Sequence, residues 1–459
     1  MDISVERSFI KRKTRVYESL PHIILFVVWV MNGGSMFSVL NRIALLFLLL
    51  FGIILLTGYN HPRIPSKYLW GYLLSVLFIV FSVGLVYLFS IKPQELDKYI
   101  YIMLEFIIQG FFCVYIFSAL TYEMFVTLFC KALQFIRWHA LISAVFIFFL
   151  PFLFTTKLSN SVSGLDAKSF LYLFYVKSDQ YSFSILGFNF IRNQGLFWEP
   201  GVLQFYLNLL LIFQLYIVKS KKFSKFLTIV ALITTYSTTA YIIMIVVMFS
   251  ALVERVRKKP VSLIPILLIS IGVFYPLFKS NVETKFQGDR QTSSMVRLYD
   301  FIQQLFVIKS NFFRGVGLDD IRYQVIRAKF GMSQYYQSIL GYNDLERGSS
   351  NSILFLLAAM GVPLGGMWIY AYIKQGFILQ KKGLVTFLLL VGVMVEPLLL
   401  KPFFVTFIMS GMIIIFIGSK KLHNSSMWRK DFSGVSPYTF KRKKKYTLPN
   451  TRITLPTTN

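Results

Sequence analysis

The sequence predicts an all-α, polytopic membrane protein of about twelve transmembrane helices with two sizeable external loops. Three observations carry this expectation. Hydrophobic residues fill 56% of the 459 positions and charged residues only 15%, with a mean hydropathy of +0.62. Apolar runs of about 17 to 25 residues recur along the chain, the length a helix needs to cross a bilayer. The formal net charge of +28 sits mostly in short basic clusters between those runs, which is the positive-inside pattern and argues against a nucleic-acid partner.

In order, residues 1–20 form a cytoplasmic tail in which Arg7, Lys11, Arg12, Lys13 and Arg15 precede an apolar run from Ile23. The layout imitates a secretory signal, but no small-residue cleavage site follows, so the run is expected to stay as a first helix. Spans are expected at roughly 21–38, 42–58, 69–91, 99–120 and 138–155, then 199–218, 226–237, 239–253 and 261–278, then 351–373, 383–400 and 403–419. The membrane domain is thus 21–419, and the basic tail 420–459, with its Lys441–Lys445 run, returns to the cytoplasm to meet water and anionic lipid.

The seventh and eighth runs are too short to span alone. If the basic clusters on either side, Lys219 to Lys225 and Arg255 to Lys259, are both cytoplasmic, the polar corner Thr234 to Thr239 lies in the membrane or at its outer edge. A protein-lined, wet cavity must satisfy it there; the alternative is one long span with the opposite topology downstream. Segments 156–191 and 279–350 fall outside and are too long for turns; neither is low in complexity, so short amphipathic helices on the outer surface are expected.

Candidate chemistry follows from that topology. His22, His61, His139 and His423 all fall toward the cytoplasm, leaving no imidazole for the outer loops. Cys113 and Cys130 lie in apolar segments as packing residues, and no metal site is expected. Asp319 and Asp320, after Gly315 and Gly317, read as a cap or turn. Arg192, Arg290, Arg297, Arg314, Arg322, Arg327 and Arg347 populate the outer face, and a guanidinium matches a phosphate bidentately at any working pH. Glu199 precedes Pro200 and Gly201 at the start of a span. It either complements the helix dipole, or orients Arg192, or accepts a proton from a sugar hydroxyl. Glu396 and Lys401 read as a local ion pair between two helix ends.

Together, Arg192-x-x-Gly195-Leu-Phe-x-Glu199-Pro200-Gly201, the corner Ser237-Thr238-Thr239, Asp289-Arg290 with Arg297, the turn Gly315-Val-Gly317, and Asn351-Ser-Ile-Leu354 leading to Gly361 form a pattern. It resembles the Wzy-type polymerases of O-antigen and capsular polysaccharide repeat units. The resemblance implies a metal-independent, cofactor-free membrane glycosyltransferase in the bacterial cytoplasmic (inner) membrane, with both termini inside. On its external face, a glycan carried on undecaprenyl pyrophosphate would pass to the end sugar of an incoming lipid-linked repeat, with a chain-length regulator as a further candidate partner. Glu199 and Arg192 are the candidate catalytic residues, and Arg290, Arg297, Arg314 and Asn351 the candidate pyrophosphate or glycan ligands. A related ligase class is expected to carry a histidine just before the Asn that opens the span after the long loop; here that place reads Gly348-Ser349-Ser350-Asn351. A lipid-linked oligosaccharide flippase is the rival from another class, and spans nearly free of charge at their centres speak against it.

Overall fold

The structure, a computed structural model, describes residues 20–60, 64–91, 94–160, 165–177, 182–185, 188–218, 220–256, 291–329 and 349–418. Both tails, the expected span 261–278 and Arg290 lie outside the described residues. The helices are α1 Leu20–Met31, α2 Met36–Leu40, α3 Arg42–Asn60, α4 Ser66–Phe89, α5 Leu96–Ala119 and α6 Tyr122–Phe149. After five strands come α7 Pro200–Ile212, α8 Lys222–Thr234, α9 Thr238–Val256, α10 Gln291–Ser310 and α11 Asp320–Ala328. The series ends with α12 Ser352–Met360, α13 Val362–Lys374, α14 Lys382–Val395 and α15 Pro402–Ile417.

The expectation of about twelve spanning helices is overturned. Among the described residues, four helices are long and apolar enough to cross a membrane: α4, α5, α6 and Pro200–Ile217, in which α7 runs on into a π turn. The other apolar stretches are shorter helices, because an apolar run is not always one helix. The run 351–373 breaks at Gly361, whose φ of +76° no helix interior accepts. The turn Gly315–Gly317 pairs there instead, with Val316 N–H donating to the Ala358 carbonyl (3.0 Å) and Gly317 N–H to Ala359 (2.9 Å). The free carbonyls at the end of α12 are thereby satisfied, and α12 is left at 9 residues. Even α15, the longest of the late helices at 16 residues, rises only about 24 Å.

A second correction concerns segment 156–191, which is not helical. It forms β1 Thr156–Asn160, β2 Leu165–Phe170 and β3 Phe174–Lys177 in one antiparallel sheet, and β4 Ser182–Ile185 with β5 Phe188–Ile191 in a hairpin. Alternation in β2 and β3 turns Ala167 and Tyr175 toward Met36, and Phe170 and Phe174 toward Phe146 and Phe154 near the end of α6. The sheet reaches far along that helix: His139 contacts the Leu173 carbonyl (3.0 Å) and stacks on Phe174 at 4.9 Å between ring centres. An imidazole therefore does meet this segment, contrary to the topology expected from the charges.

The core is aromatic. α15 packs against α4, α5 and α13, with Trp29 4.6 Å from Phe403 and its indole N–H donating to Thr406 Oγ1 (2.9 Å). Every residue of α7 is buried, as suits a helix apolar on all sides and wrapped by α6, α8, α9 and α14. In contrast, Phe47 and Phe51 on α3 and Leu77 and Phe81 on α4 are exposed, apolar surface of the kind lipid covers. Several such helices make this a membrane-associated protein.

Candidate functional site

The segment that leads into α7 is pinned along its length. Asn193 donates from Nδ2 to the Ala140 carbonyl (2.7 Å) and Thr234 Oγ1 (3.0 Å), and its Oδ1 accepts the Gly195 N–H (2.9 Å). Arg192 Nε–H donates to the Thr235 carbonyl (3.2 Å). The arginine motif and the Thr234–Thr239 corner, distant in sequence, are thus one structure, and the Thr234 and Thr235 hydroxyls of the corner are bonded to protein carbonyls. Further on, Met36 N–H donates to the Leu196 carbonyl (2.8 Å) and Trp198 N–H to Gly34 (3.3 Å), which fixes the approach to Glu199.

Glu199 is the N-cap residue of α7 with extended backbone, and Pro200 opens the helix. Its carbonyl accepts from Val202 (3.1 Å) and Leu203 (3.3 Å), but its carboxylate makes no cap bond. Instead it hydrogen-bonds the carboxyl of Glu396. Two carboxyl groups can do this only by sharing a proton.

Glu396 follows α14, and Ser352 holds its backbone: Ser352 Oγ donates to the Glu396 carbonyl (2.9 Å) and accepts the Leu399 N–H (3.3 Å). The side chain lies over Gly201 in the first turn of α7, where a Cβ would occupy the space of Glu396 Oε1. Arg297 approaches that oxygen at 3.7 Å, with 45% of its own side chain exposed against 5% for Glu396. Burial, and then the neighbouring Glu199 charge, push the Glu396 carboxyl well above the ordinary range; Arg297 and Arg192 oppose the shift without cancelling it. The expected ion pair between Glu396 and Lys401 is not formed. Lys401 closes the same turn but faces Arg42, Asp320 and Glu105.

A second network positions Arg297. One turn along α10, buried Asp300 pairs with Arg327 Nη1 (2.6 Å) and accepts from Gln304 (3.1 Å) and from Ser350 N–H (2.8 Å) and Oγ (2.6 Å). Gln304 also donates to Ser349. The serines in the place expected for a ligase histidine therefore lock α10 and α11 to the start of α12. Asn351 is the N-cap of α12, its Oδ1 accepting from Ile353 and Leu354 N–H (both 3.1 Å).

Of the sequence candidates, Arg192, Glu199 and Arg297 converge. Arg314 does not: it donates to the Phe89 carbonyl at the end of α4. Asp319 caps α11, accepting from Ile321 N–H (3.0 Å), and pairs with Lys98 (2.9 Å). Burial alone would raise its carboxyl, but Lys98 and the cap bonds outweigh that and hold it below the ordinary value. Glu396 was missed as a partner of Glu199. The one signal was an acid caught between two apolar runs, opposite an E-P-G whose glycine leaves room for it. Among the described residues, no group of three or more His, Cys, Asp or Glu side chains converges as a metal site.

Residues 223–369, about a third of the chain, match the O-antigen ligase domain family. No curated protein and no solved structure gives a significant match.

Proposed function

We propose that this chain, placed in the broader O-antigen ligase and polymerase superfamily by that domain, transfers a glycan from a lipid-linked diphosphate donor to an acceptor hydroxyl. The domain ties the chain to O-antigen or capsule biogenesis. The observation that supports the chemistry is the buried carboxyl of Glu396 set against Glu199 over Gly201, with Arg297 and Arg192 beside the pair. In the step, the acceptor oxygen bonds to the anomeric carbon while the bond from that carbon to the diphosphate breaks, the diphosphate leaving with the electron pair. The hydroxyl proton passes to the Glu199 carboxylate, the less enclosed of the two. Glu396 keeps the other proton and, by donating it in a hydrogen bond, steadies Glu199 while it is ionised. The work is done at the outer face of the cytoplasmic membrane.

The match to a ligase domain favours an acceptor that differs from the donor, so that a finished glycan is joined to an anchor. Polymerisation of repeat units is the second reading, favoured by Ser349 and Ser350 standing, already bonded to α10, where a ligase-type histidine is expected. Surface-glycan gels separate them in a deletion strain complemented with wild type or Glu199→Gln, with protein level checked. Loss of all anchored glycan while long lipid-linked chains persist means ligation. Single repeats still anchored mean polymerisation. Lipid-linked repeats trapped inside mean a flippase, and both readings fail.

A further inference from the structure

The turn from Glu396 to Lys401 carries an acid at one end and a cation at the other, and the cation belongs to a second cluster. Arg42 opens α3 and donates from Nη2 to Glu105 (2.6 Å) and to the Leu400 carbonyl (3.0 Å), while its guanidinium lies 4.8 Å from the ring centre of Tyr101. Its side chain is 32% exposed, against 1% for Glu105, and its Nε–H is buried with no hydrogen-bond partner among the described residues. Lys401 is the N-cap residue of α15, and its ammonium has no ion pair or hydrogen bond among the described residues. Burial, then the like charge of Arg42, hold it down at about 8. Asp320 is exposed and lies within electrostatic reach of both cations.

Two adjacent cations with unused donors, at the N-termini of two helices, repel each other until an anion comes between them. The carboxylates facing them are Glu105, committed to Arg42, and Asp320; Lys98, also near Asp320, is paired to Asp319. We infer that Arg42 and Lys401 bind the diphosphate of the lipid-linked donor, and that Arg192 and Arg297 serve the carboxyl pair at the opposite end of the turn. The inference rests on the transfer reading above and deepens it. Glu396 and Lys401 are five residues apart, so their Cα atoms lie within roughly 17 Å, and a sugar held between them has the proton acceptor on one side and the departing diphosphate on the other.

The test is binding of farnesyl diphosphate to purified full-length protein in detergent, by calorimetry. Lys401→Gln should weaken it roughly tenfold or more. Since Arg42→Gln alone strands Glu105, the double change Arg42→Gln with Glu105→Gln is the second variant, with the same expectation. Glu199→Gln should leave binding unchanged, and equimolar phosphatidylglycerol should not displace the ligand. Unchanged binding in Lys401→Gln, or displacement by phosphatidylglycerol, overturns the assignment. If Glu199→Gln has meanwhile lost transfer, the transfer reading survives that result.

Discussion

Glu199 at the start of α7 and Glu396 at the end of α14 share a hydrogen bond between their carboxyl groups, over the bare Cα of Gly201. The pair is unequal: Glu396 is buried and Glu199 half-buried. Glutamine at 396 can still donate the bond that the acid donates, whereas glutamine at 199 cannot take a proton. Glu199→Gln should lower the transfer rate by about 10² to 10⁴, and Glu396→Gln should cost markedly less, with both proteins present in the membrane. Single-turnover assays with a lipid-linked donor decide it, and the reverse order would assign the base to Glu396.

Gly201→Ala tests the same contact from the other side. The added methyl takes the space of Glu396 Oε1, which is the far end of a side chain that can swing away, so the fold should survive. The carboxyl pair should not, and displacement of a reacting group by about 1 Å costs on the order of 10²-fold. The double change Gly201→Ala with Glu396→Gln should be little worse than Gly201→Ala alone. Full additivity of the two rate losses would mean that Gly201 acts elsewhere.

How much of this was legible in the sequence divides along one line. Helix starts with a local chemical signature, such as Glu199-Pro200-Gly201, Asp319 and Asn351, stand where expected, because a cap is decided by neighbours within a turn. Spans were overcounted because hydropathy does not register where an apolar run is cut. At Gly361 the cut is made by Gly315–Gly317, a partner remote in sequence. The sheet in 156–191 was read as surface helix because its alternation is short and its burial one-sided, against α6 and Met36. Glu396 was paired with Lys401 by proximity in sequence, but the extended backbone at Glu396 and the start of α15 at Pro402 send the two side chains into different clusters.

Asp300 should be the acid whose loss is most costly to stability. Its carboxylate pairs with Arg327 and holds Ser350, and both charged side chains are almost wholly buried. Asp300→Asn takes the counter-charge from a buried guanidinium, a cost of about 3–5 kcal/mol. Thermal unfolding in detergent should show it, and Asp300→Asn with Arg327→Met should recover much of the loss. A change below about 0.5 kcal/mol in the single variant would mean that the pair is solvated in the membrane.

Lys401 gives opposite pH dependences for binding and for stability. The folded protein holds its ammonium down at about 8 from the ordinary 10.5. Between those values the unfolded chain binds a proton that the folded one does not, so this group makes stability rise with pH in that window and lowers it as pH falls through about 8. Diphosphate binding needs the charged ammonium and should weaken as pH rises through the same value. A phosphate's own last ionisation, near 6, is complete by then. Lys401→Arg should make binding flat across the window, and Lys401→Gln should remove the rise in unfolding temperature without ligand. Wild-type binding that strengthens from pH 7 to 9 would separate Lys401 from the anion altogether.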